Sequence, residues 1–338
     1  MHMNGVRPPG GRRRDPRAIV RAASSDRALE TMAAEVRAGL LRRPLRELPC
    51  KYFYDERGSA LFERITELPE YYPTRTETQI LAAHAADIVE AVAARELAEL
   101  GSGSGRKIRF FLDAMRRRSR LESVVLLEIA EAYLHESVAQ LQADYPEARV
   151  RGVVGDFVHD LPALGRSGGG RLLLFLAGTV GNLHPDALPA FFGRAACTLA
   201  PGDGFLVGVD LVKDPARLHA AYNDAAGVTA EFNRNILRVL NARLSGDLRP
   251  ADFEHVAFYD PERQWIEMRL RARRPVRAWL RLAGLELRLS AGEEIRTELS
   301  CKYTRETFER RLAGSGLVIE RWLTDPERLF ACVLLRRT

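Results

Sequence analysis

Three places along the chain put a residue type that can hold a nucleoside where a strand should end. The first is Gly101-Ser102-Gly103-Ser104-Gly105, which follows the apolar run LAEL and precedes the helix-compatible RKIRFFLDAM. Glycines there let backbone approach a ligand without a Cβ in the way, and the next helix offers unpaired N–H groups at its start. The same five letters also suit a flexible linker. They match neither GxGxxG nor a phosphate loop ending in GK[ST], so alone they leave both readings open. The second is Glu128, 27 residues beyond Gly101 at the end of SVVLLE. An acid at the tip of the second strand grips ribose hydroxyls in nucleotide-binding α/β folds. The third is Asp156-Phe157, after ARVRGVV, an acceptor for an adenine amino group beside a ring that can pack on the base. Acids also begin turns for purely local reasons. Three such features at three successive strand ends favour a cofactor turn over a linker. With no dinucleotide fingerprint, they favour S-adenosylmethionine over NAD.

The elements that must position these residues are legible as rhythm. Short runs apolar on both faces (LAEL, SVVLLEIA, ARVRGVV, RLLLFLAG, GFLVGVDL) alternate with helix-compatible stretches such as EAYLHESVAQLQADY. Doubly buried strands separated by helices make a parallel sheet. LVIERWL and LFACVLL, flanking TDPER, predict a closing antiparallel hairpin. The expected fold class is therefore α/β, a Rossmann-like methyltransferase sheet, mostly parallel with a terminal antiparallel hairpin. Between residues 213 and 302 the rhythm stops. A long helical stretch gives way to alternating strands, EHVAFYD, QWIEMRLRAR and AWLRLAGLELRLS, which predict a smaller α+β domain. Residues 31–75 are available to join it as a substrate-binding domain, leaving 76–212 and 303–338 for the cofactor-binding domain. Residues 1–30 are expected to be a basic, disordered tail.

The tail explains the charge. Of the net +6, residues 1–30 hold +4, so the body is close to neutral. Only four of the 51 basic residues are lysine, a skew that reads as codon bias rather than as a phosphate-binding patch. No apolar run is long enough to span a bilayer and no secretory signal is visible. Cys50, Cys197, Cys301 and Cys332 are scattered without metal-ligand spacing. The expectation is a cytoplasmic protein with reduced thiols, no metal, and no membrane or nucleic-acid partner.

The stretch KYFYDERGSALFERITELPEYYPTRTETQIL, residues 51–81, is more specific than any glycine loop. It resembles the histidine Nα-methyltransferases of ergothioneine biosynthesis, which convert histidine to its trimethylammonium betaine, hercynine. The likeness continues through ELGSGSGRK, GDF, GTVGNL, DLVKDPARLHAAYNDAAGVTAEFNRN, FEHVAFYD, WIEMRLRA and GEEIRTELSCKY, from about residue 45 to the C-terminus. The resemblance implies a Rossmann-like methyltransferase domain plus a histidine-binding domain, S-adenosylmethionine as cofactor, and a monomer acting on L-histidine and its mono- and dimethyl intermediates. Cofactor contacts carried over by motif fall on Gly101, Ser102, Gly103, Lys107, Glu128, Asp156 and Phe157. Histidine contacts fall on Tyr71, Asn182, Tyr222, Glu298, Leu299 and Ser300. Tyr54, the candidate catalytic residue, and Phe62 are implied near the amino group, and Met268 near the imidazole.

The residue types suit that chemistry. An Asn amide and a Tyr hydroxyl can donate to a carboxylate without a full ion pair. Glu298 can accept from one imidazole N–H while Ser300 serves the other nitrogen, which selects histidine over a merely aromatic amino acid. Taken singly each has a plainer reading: Tyr71 and Tyr222 as packing aromatics, Met268 as strand filler, Glu298 as a salt bridge to Arg296. His184 is left unassigned. Two departures from the family pattern bear on cofactor affinity: Glu128 stands where Asp is usual, and AGTVGN (177–182) replaces GSTIGN. Rival functions are the same transfer to another amino acid or amine, a nucleic-acid-binding protein or RNA methyltransferase working through the arginine-rich tail, and a non-catalytic sensor.

Overall fold

Strands that are apolar on both faces need helices on both sides, and the chain folds accordingly. The computed structural model describes residues 19–22, 27–103 and 105–337. Its first elements are β1 (Ile19–Arg21), α1 (Ala28–Leu41), β2 (Arg46–Glu47), α2 (Glu56–Glu67) and α3 (Tyr72–Val92). The βα series comes next: β3 (Glu96–Leu100), α4 (Ile108–Arg117), β4 (Ser123–Glu128), α5 (Glu131–Asp144), β5 (Arg149–Val154), β6 (Arg171–Phe175), α6 (Leu188–Cys197) and β7 (Gly204–Asp210). The insertion contributes α7 (Pro215–Tyr222), α8 (Val228–Leu244), β8 (Phe253–Asp260), β9 (Trp265–Ala272), β10 (Val276–Leu280), β11 (Leu285–Leu289) and β12 (Glu294–Cys301). The chain closes with α9 (Arg305–Arg311), β13 (Leu317–Thr324) and β14 (Phe330–Arg337).

The large sheet has the order β1-β5-β4-β3-β6-β7-β14-β13. It is parallel from β1 to β7, and β14 and β13 run antiparallel at the edge, as expected. Neighbouring residues Leu97 and Ala98 of β3 point to opposite faces and are both fully buried, one in each of the two flanking cores. Strand order reverses beside β3, whose neighbours are β4 and β6. Such a switch point opens a crevice at the C-terminal strand ends.

A second sheet, β2-β12-β9-β8, unites the N-terminal segment with the insertion. Its hydrophobic core also takes in α1, α2, α7 and α8. β12 fastens this lobe to the large sheet: just past its end, Tyr303 bridges to Leu211, and the Tyr303 N–H donates to the Asp210 carbonyl at 3.0 Å. The small sheet is thereby held over the crevice.

Three expectations need correction. Residues 278–290 are not one strand. β10 and β11 form an antiparallel hairpin, turned by a short 3-10 segment and by Gly284 at φ 56°. The tail expected over residues 1–30 lies mostly outside the described residues, but Ile19–Arg21 pairs with β5 as an edge strand and α1 begins at Ala28. The division placed at residue 75 falls inside α3, whose apolar face joins the core of the large sheet from Ile80 onward.

Candidate active site

The crevice and the lobe above it enclose one cavity of about 1390 Å³, and every residue singled out as a cofactor or histidine contact lines it. On the large-sheet side the residues come from successive strand ends. Gly101 sits at φ 72°, a left-handed conformation that a side chain resists, and the loop lies open beside Phe157. Glu128, the last residue of β4, accepts from the N–H of Ala130 at 3.0 Å and of Gly103 at 3.3 Å. Burial pushes its carboxyl up despite those donors. The Phe157 ring meets Phe175 edge-on at 5.0 Å. Ser104 lies outside the described residues.

Asp156, expected as an acceptor for an adenine amino group, is already engaged within the protein. One oxygen accepts from the Val158 N–H at 2.8 Å and the other from Lys51 Nζ at 2.9 Å. Lys51 also reaches Glu35 of α1 at 3.0 Å, so a lysine of the N-terminal lobe already holds this acid. A carboxylate oxygen has more than one lone pair, which leaves room for a further donor.

Sequence reading missed two acids on this side. Glu99 of β3 is buried, its Oε2 has no hydrogen-bond partner among the described residues, and burial pushes its carboxyl up to about 8 against the opposing influence of Lys107. Glu77 of α3, fully buried, pairs with Lys107 and accepts the Ala177 N–H at 2.9 Å. The signal for Glu99 was available: a carboxylate inside a doubly buried strand needs a reason. An orphaned carboxyl oxygen near a lysine ammonium suits the ammonium and carboxylate of an amino-acid group, so these residues fit the methionine end of S-adenosylmethionine. Because the folded pKa of Glu99 lies above its unbound value of 4.5, its contribution to stability is present below that value and is lost as pH rises toward about 8. Glu99→Gln should flatten that loss in melting curves recorded across this range without cofactor; an unchanged pH slope would contradict the burial assigned to Glu99.

Ala177, the first residue of AGTVGN, holds φ 62°, with strain of roughly 1–2 kcal/mol for a side chain in that region. The turn continues to Gly181, where a Cβ would lie 2.8 Å from the Cys301 carbonyl. That close approach sets Asn182 against β12, where its Nδ2 donates to the Leu299 carbonyl at 3.0 Å. Leu299 thus contributes backbone, while its side chain joins the core of the large sheet.

Glu298 and Ser300 of β12, and Lys302 just past its end, alternate along the chain and share a face. The pairing with β9 slips between Arg296 and Glu298. Arg296 pairs with Glu47 at 2.5 Å and Glu267 at 3.8 Å, which disposes of the plain salt-bridge reading for Glu298. Burial pushes the Glu298 carboxyl up to about 7, opposed by Lys302 and by a hydrogen bond from Asn182. Behind Ser300 lies a buried network that sequence reading did not anticipate. Tyr222 Oη donates to Ser300 Oγ at 2.7 Å, and Lys302 Nζ donates to Ser300 Oγ at 2.8 Å and to Tyr222 Oη at 3.0 Å. Asp210 accepts from Lys302 at 2.8 Å, from Lys213 at 2.6 Å and from Tyr72 Oη at 2.9 Å. Burial opposes ionisation of Asp210, yet the two lysines hold its carboxyl below the ordinary range.

Between the two sides stands a group of rings. Tyr54 meets Phe62 at 5.8 Å and Phe232 at 5.6 Å, and Phe62 meets Tyr71 at 6.3 Å. Phe232, from α8, is an addition to the expected set. The Tyr54 and Tyr71 hydroxyls make no hydrogen bond among the described residues. Burial, with Glu298 as a second cause, pushes the Tyr54 hydroxyl well above its normal value. It stays protonated and cannot serve as a tyrosinate base at neutral pH. Met268 of β9 pairs with Glu298 across the small sheet. His184 lines the rim, its ring 6.1 Å from Trp265.

Comparison with known proteins places this geometry among relatives. Residues 32–337 match the family described as histidine-specific methyltransferase, SAM-dependent. The chain is 45% identical over 317 residues to a histidine N-alpha-methyltransferase of Mycolicibacterium smegmatis, covering 93% of this chain and 97% of that one. It is 43% identical to the Mycobacterium tuberculosis protein of the same name over 86% of this chain and 90% of that one. An ergothioneine biosynthesis protein 1 of Neurospora crassa is 32% identical over 80% of this chain and 31% of its own length.

Proposed function

The chain belongs to the SAM-dependent, histidine-specific methyltransferases, and from that premise we infer that it trimethylates the α-amino group of L-histidine to hercynine, the first step of ergothioneine biosynthesis. The observation that carries the reading is one cavity lined by Glu99, Lys107 and Glu128 from the large sheet's side and by Glu298 and Ser300 from the small one. S-adenosylmethionine, when bound, supplies a methyl group already activated on a sulfonium sulfur. What remains for the chain is binding, alignment and exclusion of water.

In this reading Glu99 and Lys107 hold the amino-acid end of the cofactor, Glu128 its ribose, and Asp156 and Phe157 its adenine. Glu298 and Ser300 hold the imidazole beside Met268, and Asn182 and the free hydroxyl of Tyr71 take the substrate carboxylate. Tyr222 acts through Ser300, because its own hydroxyl is committed there. An α-amino group has a pKa of about 8, so losing one proton at neutral pH costs little. Tyr54, held protonated, orients the amine through its oxygen and passes the proton toward water. The final product carries a quaternary ammonium with no proton to donate. The rings of Tyr54, Phe62 and Phe232 suit it by cation–π contact.

Tyr54→Phe should lower kcat about tenfold to a hundredfold while leaving the KM for histidine nearly unchanged; unaltered turnover would remove Tyr54 from this role. Competing histidine against tryptophan and tyrosine as methyl acceptors tests the substrate. Tryptophan methylated at a rate comparable with histidine would refute the assignment of Glu298 and Ser300. The reading takes the working unit to be a cytoplasmic monomer that needs no nucleic acid. Among the described residues no helix is long and apolar enough to cross a membrane.

A further inference from the structure

The buried network behind Ser300 constrains where its hydrogen can point. The Lys302 ammonium has three protons, and three oxygens receive them: Ser300 Oγ, Tyr222 Oη and Asp210 Oδ2, at 2.8, 3.0 and 2.8 Å. Both hydroxyls of the Tyr222–Ser300 pair therefore accept from the same cation. The bond between them, 2.7 Å long, uses one of the pair's two protons. A phenol, with a pKa of about 10, is the more acidic partner of the two and is acidified further by an ammonium on its oxygen. The shared proton is accordingly Tyr222's. Ser300 Oγ then has both lone pairs filled, and its own hydrogen finds no acceptor among the described residues. It is left for a ligand in the cavity.

We propose that Lys302 is a positioning residue that fixes Ser300 as a hydrogen-bond donor, so that the site takes the imidazole of its substrate in the neutral form, with one bare nitrogen at Ser300 and one N–H at Glu298. The proposal deepens the histidine reading and rests on it. Glu298 can accept an N–H from either the neutral or the protonated ring, so the choice between them falls to Ser300, where an imidazolium would set N–H against O–H. The charged groups around the pair act in both directions. Lys302 and Lys213 outnumber Asp210 behind it and disfavour a cationic ring, whereas Glu298 on the same strand favours one only when ionised. Its carboxyl, raised to about 7 by burial, is mostly protonated at pH 6 and then accepts the ring N–H through its carbonyl oxygen without adding charge. Tyr54 and Tyr72, whose hydroxyls burial pushes well above their ordinary value, add no charge. The donor geometry breaks the balance.

The test is nitrogen NMR of ring-15N histidine bound to the whole protein at pH 6. Free imidazole has a pKa of about 6.5, so most unbound rings there carry two protons. The bound ring is expected to give one protonated and one bare nitrogen. Two protonated nitrogens on a bound ring would overturn the proposal and leave the histidine reading standing, whereas failure of histidine to bind at all would overturn both. Lys302→Met keeps Asp210 paired with Lys213 and Tyr72 while freeing Ser300 to accept, so its bound ring should gain a second protonated nitrogen at pH 6. A spectrum unchanged by that substitution would remove Lys302 from the assignment.

Discussion

Glu298→Ala should raise the KM for histidine by about tenfold to a hundredfold, while the affinity for the demethylated cofactor stays as it was. A hydrogen bond to a charged group contributes about 1.5–3 kcal/mol, and each 1.4 kcal/mol is a factor of ten in binding. In the proposed reading Glu298 is the acceptor for the ring N–H, on the small-sheet side of the cavity. Asn182 hydrogen-bonds it and Lys302 lies close enough to lower its pKa, so its position is fixed before substrate arrives. Removing it also strips out what distinguishes imidazole from indole, and relative activity toward tryptophan should rise. Calorimetric titration with histidine and separately with S-adenosylhomocysteine checks both halves. A variant that loses cofactor and histidine affinity equally would mean that Glu298 supports the fold rather than reading the ring.

The second large effect is expected at Glu77, which touches no substrate. Its carboxylate is fully buried, neutralises Lys107, and accepts the N–H of Ala177, 100 residues away, through both oxygens at 2.9 and 3.0 Å. The β7 backbone at Gly208 passes so near that a Cβ there would lie 2.2 Å from Glu77 Oε1. Breaking a buried ion pair by removing one partner costs about 3–5 kcal/mol, because the other charge is stranded. Glu77→Ala should therefore lose about that much stability in chemical denaturation. It should also weaken cofactor binding more than histidine binding, because the proposed reading gives Lys107 to the amino-acid end of the cofactor. A loss below about 1 kcal/mol would show that solvent reaches Lys107 and that the pair is effectively exposed.

The two substitutions mark where the sequence was readable. Glu128 and Asp156 could be found because strands buried on both faces end sharply, and an acid at or just past such an end is conspicuous. Glu77 could not, since it sits on one face of a long helix and meets Ala177 and Lys107 only after the chain has returned. Lys302 and Asp210 escaped for the same reason: each looks like an ordinary charge at the end of a strand until the Tyr303–Leu211 bridge brings the ends of β12 and β7 together. Tyr222 was marked by its motif, but the bonds of its hydroxyl to Ser300 and Lys302 were not visible in the sequence. The hairpin of β10 and β11 was hidden because AWLRLAGLELRLS keeps a strand-like alternation straight through its turn. The basic composition of the first thirty residues concealed Ile19–Arg21, which pairs with β5 at the sheet edge and reaches Glu131 of α5 through Arg21. Phe232 was indistinguishable from core packing in α8 until its ring appeared beside Tyr54.

The central claim is that an α-amino nitrogen is held at the junction between a cofactor crevice and an imidazole pocket. It is tested most directly by mixing the protein with histidine and S-adenosylmethionine and following the amino acid by mass spectrometry and NMR. The account predicts successive gains of one, two and three methyl groups, all on the α-nitrogen, with the ring unmodified. Methylation of a ring nitrogen, or histidine recovered unchanged while the cofactor binds, would contradict it.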